Sequence, residues 1–184
     1  MPAITDRLLS QGNIMVVDDN PANLKLLRDM LGKRNYEVRA FPRGRLALAA
    51  AEQEPPDLIL LDTSMPEMDG YQVCEQLKSD ESLAGIPVMF ISALNAVEDQ
   101  VKAFRSGGVD YISKPFQFDE VNARVETQLQ LYKLRRASKL QNERLEAAVA
   151  VRTRALSEAT ERLTILDRSK SDFTHENTFE QTPH

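Results

Sequence analysis

The most chemically loaded stretch of the chain is Leu58-Ile59-Leu60-Leu61-Asp62-Thr63-Ser64-Met65-Pro66-Glu67-Met68-Asp69-Gly70. Four aliphatic residues run straight into a carboxylate, and Pro66 and Gly70 mark the segment after it as a turn. A short, wholly apolar run is the pattern of a strand buried on both faces. Asp62 then falls at the carboxyl end of that strand, where open α/β sheets place their chemistry. Two other apolar runs also end in polar residues, Ile14–Val17 in Asp18-Asp19 and Val88–Ile91 in Ser92, and the strand-like Val109–Ile112 leads to Ser113-Lys114. Carboxylates gathered at one edge repel each other unless they share a cation. Their hard oxygens suit Mg²⁺, with waters completing an octahedron. Beside such an ion the Asp62 carboxylate stays ionised and can attack a phosphoryl group, making an aspartyl phosphate. Mg²⁺, the Lys114 ammonium and the Ser92 hydroxyl would meet the incoming phosphoryl oxygens. Each residue also has a plain structural reading. The Asp18-Asp19 pair before Asn20-Pro21 can cap a helix, Ser92 can end a strand, and Lys114 before Pro115 can be a solvated loop residue. Their joint occurrence at the ends of different strands favours the chemical reading.

The elements that must position these residues follow from periodicity. Asn13–Val17 reads as a first buried strand, and Asn20-Pro21 opens a helix whose apolar face is Leu24, Leu27, Met30 and Leu31. Gly32 ends it. Tyr36–Phe41 reads as a second strand and the alanine-rich Arg43–Gln53 as a second helix, broken by Pro55-Pro56 before the strand that carries Asp62. A third helix is expected over Tyr71–Leu77, a fourth strand over Ile86–Ile91, a fourth helix over Val97–Phe104 and a fifth strand over Val109–Ile112. A fifth helix begins near Asp119. Strands and helices in strict alternation predict an α/β fold with a doubly wound five-stranded parallel sheet, of flavodoxin-like order 2-1-3-4-5.

No Gly or Pro stands between Phe116 and Pro183, so nothing obvious stops the last helix. From Leu145 on, Leu145, Val149, Leu156, Ala159, Leu163, Leu166 and Phe173 recur in alternating steps of three and four, interrupted by Arg152 and Lys170. That spacing is a coiled-coil seam, and Leu131, Leu134, Ser138 and Gln141 fit a seam of different phase before it, with a stutter near Leu145. The expected organisation is a globular domain over 12–130, a continuous helical linker over 131–170 that dimerises as a coiled coil, and a polar tail over 171–184, frayed or leading into further chain.

Composition narrows the function. Of 184 residues, 42% are hydrophobic and 28% charged, enough for a core and a solvated surface. The net charge of −5 conceals an asymmetry. Residues 133–170 carry ten Lys/Arg against five Asp/Glu, leaving −10 for the rest, which argues against nucleic-acid binding by the main domain. A single Cys, Cys74, excludes an intrachain disulfide and fits a reducing compartment. No apolar run approaches the roughly 18 residues of a membrane span, and the start lacks a signal-peptide pattern, so a soluble cytoplasmic protein is expected.

Val16-Val17-Asp18-Asp19, the run from Asp62 through Met65-Pro66 and Met68-Asp69-Gly70, Ile91-Ser92-Ala93 and Lys114-Pro115-Phe116 together resemble the receiver domain of two-component response regulators. The resemblance covers about residues 12 to 130. It implies that Asp62 accepts a phosphoryl group from a histidine kinase or a histidine phosphotransfer protein. It implies that Asp19, Asp62 and the Ser64 carbonyl bind Mg²⁺ directly while Asp18 acts mainly through water, and that the Lys114-Pro115 bond is cis. Ser92 matches the family's switch hydroxyl and Tyr111 its switch aromatic. On phosphorylation Ser92 would move to the phosphoryl oxygen and Tyr111 would turn into the space it leaves. A receiver catalyses only its own phosphorylation and dephosphorylation, so no separate enzyme activity is expected of this chain.

The segment Leu145–Leu156 is similar to linkers that join receivers to output domains, and Leu166–Phe173 to the entry of a histidine-kinase dimerisation helix. His175-Glu176 follows Phe173 too closely for the kinase pattern, so His175 is not assigned as a phosphorylation site. The chain therefore reads either as a complete adaptor or as the N-terminal receiver of a longer kinase, cyclic-di-GMP enzyme or phosphatase. A haloacid-dehalogenase-type phosphatase would want a second Asp where Ser64 stands. A DNA-binding regulator would need more than the basic cluster Lys133, Arg135, Arg136 and Lys139 on one helix.

Overall fold

The computed structural model of the protein describes residues 11–93 and 97–176. Five parallel strands, β1 (Asn13–Val17), β2 (Glu37–Phe41), β3 (Leu58–Asp62), β4 (Val88–Ser92) and β5 (Asp110–Ser113), lie in the order β2-β1-β3-β4-β5. They alternate with helices that we number α1 (Pro21–Gly32), α2 (Gly44–Gln53), α3 (Gly70–Ser79), α4 (Val97–Arg105) and α5 (Phe118–Glu176). This is the expected doubly wound sheet.

Both faces of the sheet are covered, as parallel strands require. Met15, Val17, Ile59, Leu61, Val88 and Phe90 face one way and pack with Ala47 and Ala51 of α2, Val73, Cys74 and Leu77 of α3, and Ala103 of α4. Their immediate neighbours along the strands, Ile14, Val16, Leu58, Leu60, Met89 and Ile91, face the other way. These meet Leu27, Met30 and Leu31 of α1 and Val121, Val125 and Leu129 of α5. The uninterrupted apolar runs of β1, β3 and β4 thus reflect burial on two sides. β2, at the edge, is only half-buried throughout.

The helix starts are set by short polar contacts. Asn20 caps α1, its side chain accepting from the Ala22 N–H at 2.9 Å, with Pro21 in the first turn where no N–H is needed. Asp69 caps α3 in a reciprocal box with Gln72: the Gln72 N–H donates to Asp69 at 2.8 Å and the Asp69 N–H to Gln72 at 3.1 Å. That cap starts α3 one residue earlier than its apolar pattern does. Tyr36 lies outside β2 because its N–H still donates to Leu31 O, closing α1. Pro87 likewise stands just before β4, its carbonyl accepting from the Ile59 N–H at 3.0 Å.

Two compact units divide at Leu134 and Arg135. In the first, α5 is anchored through Val121, Val125 and Leu129. In the second it is helical to Glu176, so the first residues of the polar tail are helix rather than frayed chain. The rest of that tail, 177–184, lies outside the described residues. No helix among the described residues is long and apolar enough to cross a membrane.

Cys74 is fully buried and its thiol donates to Ser106 O at 3.1 Å. Burial pushes the thiol up to about 11, so it holds its proton through neutral and mildly alkaline pH. At pH 8 the folded chain should therefore give no rapid reaction with a thiol-specific disulfide reagent. Unfolding in guanidinium should release one reactive thiol per chain.

Candidate functional site

Register brings the polar strand ends to one edge. Val17 of β1 pairs with Leu61 of β3, and Asp62 pairs with Ile91 of β4, so Asp18, Asp62 and Ser92 emerge together. Ser92 pairs in turn with Ser113 of β5, which puts Lys114 one step beyond, and the Lys114 N–H donates to Ser92 O at 2.7 Å. The Lys114-Pro115 bond is cis, as the resemblance implied.

The Lys114 ammonium binds two carboxylates, Asp62 Oδ1 at 2.6 Å and Asp18 Oδ2 at 2.9 Å. Asp18 and Asp62 are almost wholly buried, at 1% and 4% exposure, so the ammonium offsets a charge that would otherwise be costly to bury. Asp62 Oδ2 accepts from the Ser64 N–H at 3.2 Å. Asp18 Oδ1 accepts from the Asn20 N–H at 2.8 Å, and the Asn23 side-chain amide donates to both Asp18 oxygens, at 3.2 and 2.9 Å. Asp19 is exposed, yet one oxygen from each of Asp18, Asp19 and Asp62 lies within 4.8 Å of the others. Three hard, anionic oxygens at that separation fit a small divalent cation. The donor set contains the carboxylates expected for Mg²⁺.

Electrostatics at the pair pull in opposite senses. Burial pulls the Lys114 ammonium down, but the hydrogen bonds and charges of Asp62 and Asp18 outweigh it and hold it above the ordinary lysine range. Burial pushes the Asp62 carboxyl up, against the hydrogen bond and charge of Lys114. The 2.6 Å contact is a short, charge-assisted hydrogen bond in which Lys114 donates to Asp62. A divalent ion among the three carboxylates would favour the ionised form of Asp62 further.

The other expected residues lie close by. Ser92 is completely buried at the end of β4. Tyr111 is buried in β5, opposite Phe90, in the cluster that also holds Tyr71. Two residues of the site carry roles that sequence pattern does not convey. Asn23 is one polar residue among many in the sequence, yet it grips Asp18. Gly70 marks a turn and belongs to the Met68-Asp69-Gly70 run, and the structure shows that it opens α3 against the backbone of Asp62. A Cβ there would lie 2.2 Å from Asp62 O and 3.0 Å from its carbonyl carbon. Only a residue without a side chain lets α3 start so close to the strand end.

A parallel five-stranded sheet with acidic residues and a lysine at its carboxyl edge defines a receiver. Residues 14–126 match the response regulator receiver domain family, and the chain belongs to it. Over 112 residues the chain is 41% identical to the DNA-binding dual master transcriptional regulator RpaA of Synechocystis, covering 61% of this chain and 46% of that protein. It is 44% identical over 112 residues to the response regulator PleD of Caulobacter vibrioides, covering 61% of this chain and 25% of PleD. The chain thus spans less than half the length of either curated relative. Among solved structures, the receiver domain of a signal transduction histidine kinase from Syntrophus aciditrophicus superposes with a TM-score of 0.61 at 34% identity, covering 65% of this chain and 90% of that one. NtrX from Brucella abortus superposes with a TM-score of 0.65 at 31% identity, covering 70% of this chain and 29% of that one.

The glycine contact gives a stability test. Gly70→Ala must displace the backbone behind Asp62 and should cost about 2 kcal/mol or more in urea unfolding. Gly32→Ala, where an added Cβ meets nothing within 4 Å, should be neutral or stabilising by up to about 1 kcal/mol.

Proposed function

We propose that the chain is a phosphorylation-controlled signalling module in which Asp62 accepts a phosphoryl group from a phosphohistidine of a histidine kinase or a histidine phosphotransfer protein. The observation that carries this reading is the buried Asp62 carboxylate, bonded to Lys114 and clustered with Asp18 and Asp19. Asp62 is the nucleophile: one of its oxygens forms a bond to phosphorus as the bond from phosphorus to the donor imidazole nitrogen breaks. The electron pair of that bond stays on the imidazole. Lys114 neutralises charge building on the phosphoryl oxygens, and Ser92 supplies a hydroxyl at the same edge. Asp19, Asp62 and the Ser64 carbonyl would hold Mg²⁺, with Asp18 acting mainly through water. When bound, the ion offsets the negative charge of carboxylates and phosphoryl group alike. Ser92 and Tyr111 act as the switch, with Tyr111 turning inward as Ser92 moves toward the phosphoryl group.

The output runs through residues 131–170, which form a homodimeric coiled coil. Support comes from large apolar side chains that are mostly exposed along α5, including Leu145 at 56%, Val149 at 63%, Leu156 at 69% and Leu163 at 67%. A helix of this length gains most of its stability by burying such a stripe. The second reading is a receiver within a longer signalling protein. It is favoured by the fractions of RpaA and PleD that the chain spans, 46% and 25%, which leave room for an output such as the DNA binding named for RpaA.

Incubation with acetyl phosphate and Mg²⁺ should add one phosphoryl mass to the wild-type chain and none to Asp62→Asn, read by intact mass. Equal uptake by both would remove Asp62 as acceptor. Light scattering should give the molar mass of a dimer for the parent chain. The double substitution Leu156→Glu with Leu163→Glu should give a monomer whose receiver still takes up the phosphoryl group.

A further inference from the structure

Asn23 occupies the third position of α1, counted from the Asn20 cap. Helical side chains lean toward the N-terminus, so a residue there reaches back over the cap. In α3 the equivalent residue, Gln72, uses that reach to accept from the backbone N–H of its own cap, Asp69. Asn23 reaches further, to the carboxylate of Asp18, and donates to both oxygens at 3.2 and 2.9 Å. A carboxylate only accepts, so the NH₂ and not the carbonyl of Asn23 must face it.

The consequence lies in what remains of Asp18 for a cation. Oδ1 already accepts from the Asn20 N–H and Asn23, and Oδ2 from Asn23 and Lys114. A carboxylate has about four acceptor directions, so these contacts use essentially all of them. Asp62, by contrast, accepts from Lys114 on one oxygen and from the Ser64 N–H, at the longer 3.2 Å, on the other. Asp18 is also 1% exposed, so it cannot turn toward solvent to find new partners.

We propose that Asn23 is a specificity-determining residue, one that occupies Asp18 with hydrogen bonds and so withholds it as a direct cation ligand. This rests on the Mg²⁺ reading of the acidic cluster given above. An ion at the site then has fewer protein oxygens and keeps more of its water. That suits Mg²⁺, which is small, octahedral and reluctant to lose water. It disfavours Ca²⁺, which prefers 6–8 oxygens and flexible carboxylates. Without the amide, the buried Asp18 oxygens lack a donor, and direct ligation becomes the way to satisfy them. The extra ligand helps Ca²⁺ more than Mg²⁺.

The test is titration calorimetry of Mg²⁺ and of Ca²⁺ on the full chain, comparing the parent with Asn23→Ala and Asn23→Leu. Leucine keeps the branched outline and heavy-atom count of asparagine in a bulkier, apolar form while alanine removes them, so agreement between the two variants separates loss of the donor from a change in packing. Both variants should bind Ca²⁺ more tightly, raising the Ca²⁺ to Mg²⁺ affinity ratio about tenfold. Far-UV circular dichroism and urea midpoints identify any variant that does not fold, and the other then carries the comparison. An unchanged ratio in a folded variant, or equal weakening for both cations, would overturn the assignment and leave Asn23 a packing residue. A parent chain that binds neither cation would overturn the Mg²⁺ reading and this inference together, which distinguishes the two failures.

Discussion

Two buried carboxylates held by one ammonium are the constraint on which the rest of this edge depends. Asp18 and Asp62 come from strands far apart in sequence, and Lys114 from a third, yet the contacts close at 2.9 and 2.6 Å. Like charges at this spacing in a dry setting are tolerated only when a cation is fixed between them. That fixes where β1, β3 and β5 must end relative to one another. A slip of one residue in any of these strands would turn its side chains to the opposite face and carry its polar end away from the others.

The two-sided core supplies the rigidity this arrangement needs. Adjacent residues along β3 belong to different cores, Leu58 and Leu60 to one and Ile59 and Leu61 to the other. Neither face can shift without disturbing helices on both sides of the sheet, because interiors at this packing density deform little. The strand therefore delivers Asp62 to a fixed point. Behind it, Gly70 and the Asp69–Gln72 box start α3 directly against the Asp62 carbonyl. The loop between strand and helix is thus held at both ends.

Much of this was legible in the sequence for a specific physical reason. Doubly buried strands are short and wholly apolar, so their ends are marked by the first charged or hydroxylated residue: Asp18, Asp62, Ser92. The 2-1-3-4-5 order followed from alternation of strand and helix together with crossover handedness. What the sequence did not reveal were features set by distance rather than pattern. Asn23 looks like any polar residue in the first turn of a helix, and its grip on Asp18 depends on where β1 ends and how the cap turns. Gly70 reads as a turn residue until the approach of α3 to Asp62 is measured. Element boundaries moved for similar reasons, as at Tyr36, whose N–H belongs to the end of α1 and not to the strand. Polar composition after Lys170 suggests a tail, but no Gly or Pro stands before Pro183 and α5 continues to Glu176.

The way α5 is anchored gives the site a mechanical neighbour. Val121, Val125 and Leu129 pack in the same cluster as Ile14 and Val16 of β1 and Ile112 of β5. Asp18 directly follows the first of these strands, and Lys114 directly follows the second. The charged strand ends and the first turns of α5 are therefore linked through the same two strands. A packed interface of this kind tends to move between discrete arrangements rather than yield continuously. From Lys133 onward the described side chains of α5 are exposed, so burial against the other described residues does not stabilise that part of the helix. Helix propensity supports it there, in a run without Gly or Pro. The anchored end of α5 shares its core with the two strands that Asp18 and Lys114 directly follow.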